Sequence, residues 1–153
     1  MQWHNQSFQT LDTLTLYRLL QLRSRIFVVE QNCVFLDLDD QDQQARHLFY
    51  GNPHEIAAYA RILRLPESHT AQAAIGRIVV AEAHRRRGLA SQALQQAMDY
   101  ILNTWQLDRI YLQAQSHLVP FYERHGYRCI SAEYLEDGIP HTDMLFSRPD
   151  TDN

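Results

Sequence analysis

Apolar residues recur along this chain at spacings that predict a series of strands and helices. Helical spacing runs through residues 13–30, where Thr13 is a suitable N-cap, and every fourth residue is apolar from 89 to 105. A short third helix is predicted at 118–125, with Gly126 just beyond its end, where a left-handed backbone is needed. Shorter apolar runs between turn residues predict strands at 2–8, 47–50, 55–65, 75–80, 109–114, 127–130 and 139–146. This order, β-α-β-β-β-α-β-α-β-β, indicates an α/β or α+β fold.

A loop rich in aspartate follows the first predicted helix. Four aspartates lie within residues 36–44, and we predict an exposed, solvated loop there. An EF-hand is not indicated, because the sixth-position glycine is missing and Leu48 stands where the twelfth-position glutamate belongs. The alternative is that the acidic loop attracts a cationic amine.

The composition fits one globular domain and disfavours several classes of protein. The 153 residues are 45% hydrophobic and 21% charged, which allows a core without disulfide or metal staples. We therefore predict a single domain over residues 1–153, with a frayed tail at 147–153. A net charge of −4 does not favour a nucleic-acid partner, and no apolar stretch approaches the ~20 residues of a membrane span. With two cysteines and no leader-like start, we expect a cytoplasmic protein.

A basic, glycine-containing turn joins the fourth predicted strand to the most regular helix. The turn and helix start consist of Arg85, Arg86, Arg87, Gly88, Leu89, Ala90 and Ser91. A helix start presents backbone N–H groups and the positive end of the helix dipole, which together bind phosphates. Gly88 allows close approach of an anion, and the arginines supply charge and paired donors. The alternative is a solvated basic turn that only caps the helix.

This turn resembles the pyrophosphate motif of the GNAT superfamily of N-acetyltransferases, (Gln/Arg)-x-x-Gly-x-(Gly/Ala). The preceding residues 78–80 resemble the splayed strand of that family, and residues 121–127 resemble its Phe-Tyr-x-x-x-Gly-Phe/Tyr signature. The resemblance covers about residues 3–147 and points to the ElaA-type subfamily. Its further segments are 22–23, 27–33, 59–62, 75–78, 113–115 and 136–141.

The resemblance implies a fold, a reaction and a co-substrate. The expected fold is a mixed, mostly antiparallel twisted sheet of six to seven strands flanked by three to four helices. The expected reaction moves an acetyl group from acetyl-CoA to a primary amine by direct attack, without a metal. The acceptor would be a small molecule, a protein N-terminus or a lysine, and a homodimer is possible for this family.

The resemblance also implies roles for individual residues. Tyr122 aligns with the general acid that protonates the leaving CoA thiolate, and the Val80 N–H would polarise the thioester carbonyl. Many family members carry an asparagine at or just after the fifth strand that binds the pantetheine arm, and here Gln115 or Ser116 would replace it. The strand that pairs with pantetheine would consist of Ile78, Val79 and Val80.

The residue that deprotonates the amine is open at this stage. Glu30 and His117 are the favoured candidates for this base, ahead of His141 and Glu133. Glu30 ends an apolar helix, so partial burial would raise its pKa. For each candidate the alternative is an ordinary solvated or hydrogen-bonding side chain.

Three arginines in apolar segments need an explanation, because an isolated buried charge is costly. Arg61 and Arg77, which lie in apolar strand segments, are predicted to pair with Glu30 or an aspartate, and Arg23 is a further arginine of interest. The alternative is that Arg61 and Arg77 shape an acceptor pocket that prefers a carboxylate.

Two other functions remain possible from the sequence. The first is a non-catalytic acyl-CoA sensor on the same fold, which would bind acetyl-CoA without turnover. The second is an adaptor whose acidic loop engages a partner protein and which binds no CoA. The histidines and cysteines show neither His-x-x-x-His nor Cys-x-x-Cys spacing, so we expect no metal site.

Overall fold

The structure, a computed structural model, describes residues 1–149 and contains a mixed, mostly antiparallel sheet of eight strands with three α-helices. This confirms the predicted fold class, with one strand more than expected. The described chain forms two compact units. The first contains Met1–Leu63 and Ile75–Ala97, and the second contains Arg64–Ala74 and the chain from Met98 onward. None of the helices in residues 1–149 is long and apolar enough to cross a membrane.

The first unit contains four sheet strands, in the spatial order β1-β2-β3-β4. They are β1 (Gln2–Ser7), β2 (Arg46–Gly51), β3 (Ile56–Arg64) and β4 (Ala73–Val80), the last of which begins in the second unit. Its helices are α1 (Thr13–Arg23), which continues into π-helical turns over Ser24–Glu30, and most of α2 (Leu89–Asp99). Single 3-10 turns span Phe8–Thr10, Asp42–Gln44 and Glu82–His84.

Helix α1 packs its apolar side on the sheet of the first unit. Leu19, Leu22 and Ile26 are buried in one cluster with Phe49 and Tyr59. This is the helix predicted at 13–30, so the helical periodicity was sufficient to find it.

The N-cap of α1 is Asp12, and the predicted Thr13 cap was wrong by one residue. The Asp12 Oδ1 accepts a hydrogen bond from the Thr15 N–H at 2.7 Å. A cap side chain satisfies the third amide of its helix, and Asp12 stands at the correct distance for that contact.

The second unit is built around a long antiparallel pair, β5 (Arg109–Gln115) with β8 (Ile139–Ser147). The start of β4 pairs with β5 in parallel, and β6 (Arg128–Cys129) and β7 (Tyr134–Glu136) both pair with β8. π-Helical turns at Tyr100–Thr104, a 3-10 turn at Ser116–Leu118 and α3 (Val119–Glu123) complete the unit. Gly126 has a φ of +91°, so the predicted left-handed position after this helix is confirmed.

Two strand boundaries in the second unit differ from the prediction. The strand expected at 127–130 is reduced to two residues, and β7 was not predicted. Asp137 and Gly138 both have positive φ, which is the geometry of a tight hairpin turn, so a strand must enter that turn as well as leave it. The apolar pattern missed β7 because it is short and mostly exposed.

The predicted frayed tail begins too early. Ser147 is the last residue of β8, and the Arg148 backbone N–H donates to the Asp108 carbonyl oxygen at 2.7 Å. The Arg148 side chain also bonds to Asp108 at 2.8 Å and to the Leu102 carbonyl oxygen at 2.6 Å. Residues 150–153 lie outside the described part of the chain.

A buried ionic cluster occupies the first unit, where the sequence predicted a solvated acidic loop. Its members are Arg23, Arg61, Arg77, Asp37, Asp39 and Asp42. Arg23 has no exposed surface and bonds to Asp37 at 2.9 Å and to Asp42 at 2.6 Å. His47 adds a 2.8 Å contact to the Asp42 carbonyl oxygen and a 2.7 Å contact to the Tyr59 hydroxyl. Asp37 and Asp42 therefore fasten the loop 36–44 to the core. Most of the loop is exposed as predicted, but the prediction of a solvated loop was wrong for these two buried aspartates.

The ionic cluster also settles how Arg61 and Arg77 are paired. Arg61 bonds to Asp39 at 2.7 Å, and Arg77 bonds to Asp37 at 2.8 Å. Burial raises the pKa of Asp39, but the hydrogen bond and charge of Arg61 outweigh it and bring the pKa to about 2. The predicted aspartate pairing is confirmed, and Glu30 is not a partner of these arginines.

Candidate functional site

The basic turn before α2 contains two residues with positive φ and leads directly into the start of the helix. After β4 ends at Val80, Arg86 and Gly88 adopt φ of +65° and +73°, and α2 begins at Leu89. The Gly88 carbonyl oxygen accepts from the Gln92 N–H at 3.1 Å, so Gly88 is the residue that opens the helix. Apart from its two chain neighbours, no residue of 1–149 has an atom within 4 Å of a Cβ added at Gly88. The backbone N–H groups in the first turn of α2 therefore border an open space beside Gly88. We call this open helix start the cradle.

Leu89 contributes to the cradle through its backbone and not through its side chain. The side chain is buried against Ala57 and Ala58 of β3, and Val80 packs on the same cluster. This contact places the start of α2 directly on the sheet, so the helix N-terminus has a defined position.

The three arginines of the turn do not share one environment. Arg86 and Arg87 are exposed, and within residues 1–149 neither has a carboxylate at ion-pair distance. Arg85 instead holds Glu30, with nitrogen–oxygen distances of 2.6 and 2.9 Å, and its Nε donates to the Val80 carbonyl oxygen at 3.2 Å. Arg87 contacts only a histidine, with its Nη1 3.4 Å from His84 Nδ1, so the guanidinium groups of Arg86 and Arg87 carry no ion pair among residues 1–149. Arg85 links the end of the α1 segment to the end of β4.

Glu30 lies beside the cradle, but its environment differs from the expected one. The side chain is exposed, and its hydrogen bond with Arg85 lowers its pKa. The expectation that burial raises this pKa was wrong, because the helix end at Glu30 faces Arg85 and not an apolar surface.

Strand β4 carries a local irregularity directly before residues 78–80. Arg77 has a φ of +52°, a conformation that costs a non-glycine residue about 1–2 kcal/mol. The bond from Arg77 to Asp37 of the ionic cluster holds it in place. Val79 is buried in the core of the first unit, while Ile78 and Val80 are half-buried. Sequence periodicity contains no signal for such a bulge.

In the second unit, Tyr122 lies in α3 among other aromatic rings. It is buried, with the Phe121 and Tyr127 ring centroids at 5.1 and 6.1 Å. Burial raises the pKa of Tyr122 to about 12, so its hydroxyl keeps its proton at neutral pH. A protonated hydroxyl can act as an acid but not as a base.

The predicted residues at the end of β5 precede α3 directly. Gln115 is the last residue of β5 and lies opposite His141 of β8. Ser116 and His117 belong to the following 3-10 turn, where His117 is exposed. The Ser116 Oγ is shielded from solvent and has no hydrogen-bond partner among residues 1–149.

A polar network on β5, β7 and β8 was not singled out from the sequence. Its members are Tyr111, Gln113, Tyr134 and Asp143, and we call it the tyrosine–aspartate network. Tyr134 donates to Asp143 Oδ1 at 2.6 Å, and Gln113 Nε2 donates to the Tyr134 hydroxyl at 2.9 Å. The available signal was the alternation along β5, where polar residues 111, 113 and 115 interleave with buried apolar ones.

Comparison with known proteins identifies the family. The model of the acetyltransferase (GNAT) domain family matches residues 29–147, which include parts of both units. The chain belongs to the GNAT family. Protein ElaA of Escherichia coli (strain K12) is 37% identical over 146 residues, which cover 94% of this chain and 95% of ElaA.

Solved structures support the same assignment. The crystal structure of an acyl-CoA N-acyltransferase from Pseudomonas aeruginosa superposes with a TM-score of 0.88 at 36% identity, over 96% of this chain and 100% of that one. The crystal structure of Escherichia coli ElaA gives 0.87 at 36% identity, over 95% and 99%. The GNAT and ElaA resemblance is therefore confirmed, and this GNAT protein has the fold of an acyltransferase that uses acyl-CoA. Among residues 1–149, no cluster of three histidine, cysteine or acidic side chains is suited to a metal ion.

Proposed function

We propose that this GNAT protein is an N-acetyltransferase that transfers the acetyl group of acetyl-CoA to a primary amine. The observation that carries the proposal is the cradle, in which an open glycine and two arginines without a carboxylate partner among residues 1–149 meet the start of α2. A diphosphate is the ligand that matches this combination of amides, dipole and guanidinium groups. The backbone of residues 78–80 would lie along the pantetheine arm.

The reaction forms a bond between the amine nitrogen and the acetyl carbon and breaks the bond from that carbon to sulfur. We propose that the Val80 N–H stabilises the negative charge that develops on the carbonyl oxygen. Tyr122 gives its proton to the departing sulfur, and CoA leaves as a thiol. The nitrogen loses one proton as it becomes an amide, and this proton returns to the Tyr122 oxygen through solvent. Many members of the family bind the pantetheine arm through an asparagine. We propose that Ser116 makes this contact here in preference to Gln115, because the Ser116 Oγ has no hydrogen-bond partner among the described residues.

The amine must lose a proton before it attacks. An alkyl amine has a pKa of about 10.4, so a base is required at neutral pH. Glu30 is held by Arg85, which lowers its pKa and occupies its carboxylate. His117 is exposed and directly precedes the helix of Tyr122. We therefore propose His117 ahead of Glu30 as this base.

Calorimetric titration with acetyl-CoA, followed by a thiol-release assay against mixed amines, tests the proposed function. Binding with thiol release would support the enzyme and begin to name its acceptor. Binding with no release from any amine would favour the sensor, and absence of binding would reject the cradle.

Replacing Tyr122 with phenylalanine is expected to lower kcat by about 100-fold, because the departing sulfur would lose its general acid. The acetyl-CoA affinity should change little, and both quantities are measured by thiol release and calorimetry. Tyr127→Phe is the matched control, since it removes a buried hydroxyl that has no partner among residues 1–149. Equal kcat for the two variants would remove Tyr122 from this role.

Replacing Glu30 with glutamine is expected to tighten acetyl-CoA binding by about two- to fivefold. The change releases Arg85 towards the cradle and removes a negative charge beside it, although an exposed ion pair has only a modest effect. Calorimetry on the wild type and the variant measures this ratio. Glu123→Gln, an exposed acid in α3, serves as the control, and weaker binding by the Glu30 variant would show that Glu30 supports the cradle.

A further inference from the structure

The tyrosine–aspartate network places a carboxylate on the half-buried face of β5 and β8. Gln113 and Asp143 lie opposite each other in the strand register, so their side chains share that face. Tyr134 donates to Asp143 Oδ1 at 2.6 Å. Burial, followed by its hydrogen bond with Asp143, raises the pKa of Tyr111 above its ordinary value. The carboxylate is therefore held in position by neutral hydroxyl groups.

Asp143 differs from the aspartates of the ionic cluster in having no cation beside it. Each of those aspartates bonds to at least one arginine. Within residues 1–149, no arginine or histidine nitrogen lies at ion-pair distance from Asp143, which is half-buried. A partly desolvated carboxylate without a counter-charge is costly. A cationic ligand would supply the counter-charge that the described residues do not provide.

The surroundings of Asp143 suit an organic cation better than a bare metal ion. The Tyr134 ring stacks on His141 at a centroid distance of 6.1 Å, and the Tyr111 ring contacts His69 at 4.8 Å. Aromatic rings attract ammonium groups through their negative faces and also contact the attached carbon atoms. Burial raises the pKa of Tyr134 to about 12, and its hydrogen bond to Asp143 acts in the same direction, so Tyr134 remains a neutral donor.

We propose that Asp143, with the rings of Tyr134 and His141, binds the ammonium group of the amine acceptor. The identification of the ligand as the acceptor rests on the proposed function. The binding of an ammonium group by this network is independent of it. The ligand class is a primary alkyl ammonium ion, carried by a small molecule or by the N-terminus of a peptide. The neutral acetylated product lacks the charge, and its affinity for the site is correspondingly lower.

The direct test is an NMR titration of the full ¹⁵N-labelled chain with n-butylammonium chloride at constant ionic strength. We expect saturable shift changes at Gln113, Tyr134 and Asp143, and none with the neutral amide N-butylacetamide. Glycinamide as a second probe separates a peptide-like N-terminus from a plain alkyl amine. Equal shifts with the neutral amide, or no saturable shift at these residues with either cation, would overturn the proposal.

Two variants make this test specific to Asp143. Asp143→Asn is expected to weaken n-butylammonium binding at least tenfold, while Glu67→Gln, an exposed acid in the same unit, leaves it unchanged. Tyr134→Phe keeps the ring and the charge but removes the hydroxyl, and it should weaken binding by a smaller factor. Unchanged binding in a folded Asp143→Asn variant would overturn the proposal. If that variant does not fold, Tyr134→Phe decides, and unchanged binding there would count against the network.

A kinetic experiment distinguishes a failure of this inference from a failure of the proposed function. With an amine that supports thiol release, Asp143→Asn should raise the acceptor KM at least tenfold and leave the acetyl-CoA affinity as in the wild type. Failure of acetyl-CoA to bind the wild type would reject the proposed function while leaving the NMR result intact. An unchanged acceptor KM would reject the acceptor assignment alone.

Discussion

Glutamate in place of Gly88 is expected to abolish acetyl-CoA binding, weakening the affinity by more than about 100-fold. The new side chain would occupy the open space above the start of α2, and its negative charge would repel a diphosphate bound there. The free protein has room for the side chain, because among the described residues only the two chain neighbours of Gly88 come near the added Cβ. Calorimetric titration measures the loss, and thermal unfolding shows that the variant is folded.

Gly138→Glu is the matched control for this experiment. Gly138 has a φ of +78° and, like Gly88, open space around an added Cβ. Both substitutions therefore impose the same backbone strain, about 1–2 kcal/mol, and the same change of charge. If the Gly88 variant binds acetyl-CoA as well as the Gly138 variant does, the phosphates do not lie at this turn.

Methionine in place of Arg23 is expected to lower the free energy of unfolding by about 3–5 kcal/mol. Methionine fills much of the volume, but Asp37 and Asp42 would remain buried without their shared counter-charge. Urea denaturation followed by circular dichroism measures the change, with the denaturant slope checked for two-state behaviour.

Arg128→Met is the control for the stability measurement, because Arg128 is exposed on β6 and has no carboxylate partner among the described residues. We expect it to change the free energy of unfolding by less than about 0.5 kcal/mol. A loss below about 1 kcal/mol in the Arg23 variant would mean that Arg61 and Arg77 neutralise the aspartates without it. The ionic cluster would then be redundant for stability.

The acidic loop shows why composition was a poor guide to burial. Four aspartates in nine residues are typical of a solvated loop, yet Asp37 and Asp42 are among the most buried polar residues described. Their partner Arg23 lies 14 and 19 residues away in the chain, and Arg77 lies 40 residues from Asp37. The sequence indicated that the arginines needed anions, but only the fold showed which aspartates meet them.

In the candidate site, too, the sequence indicated the local features and the fold showed the contacts between distant residues. The cradle could be predicted because a strand, a basic turn, a glycine and a periodic helix follow one another within a short stretch of chain. The pairing of Glu30 with Arg85 spans 55 residues, and it reversed the expected direction of the Glu30 pKa. The tyrosine–aspartate network was missed because it joins three strands, one of which was too short and exposed to predict.

By itself the sequence indicated the helices of residues 13–30 and 89–105, the order of the helices and strands apart from β7, and the turn at Gly88 that we propose as a phosphate site. These features depend on periodicity and turn chemistry, which act between residues close in the chain. The tertiary structure decided which charges are neutralised, where the backbone of β4 is strained at Arg77, and that no arginine or histidine of residues 1–149 pairs with Asp143. Electrostatic pairing depends on distance in space, so the contacts that decide it become visible only when distant segments are brought together.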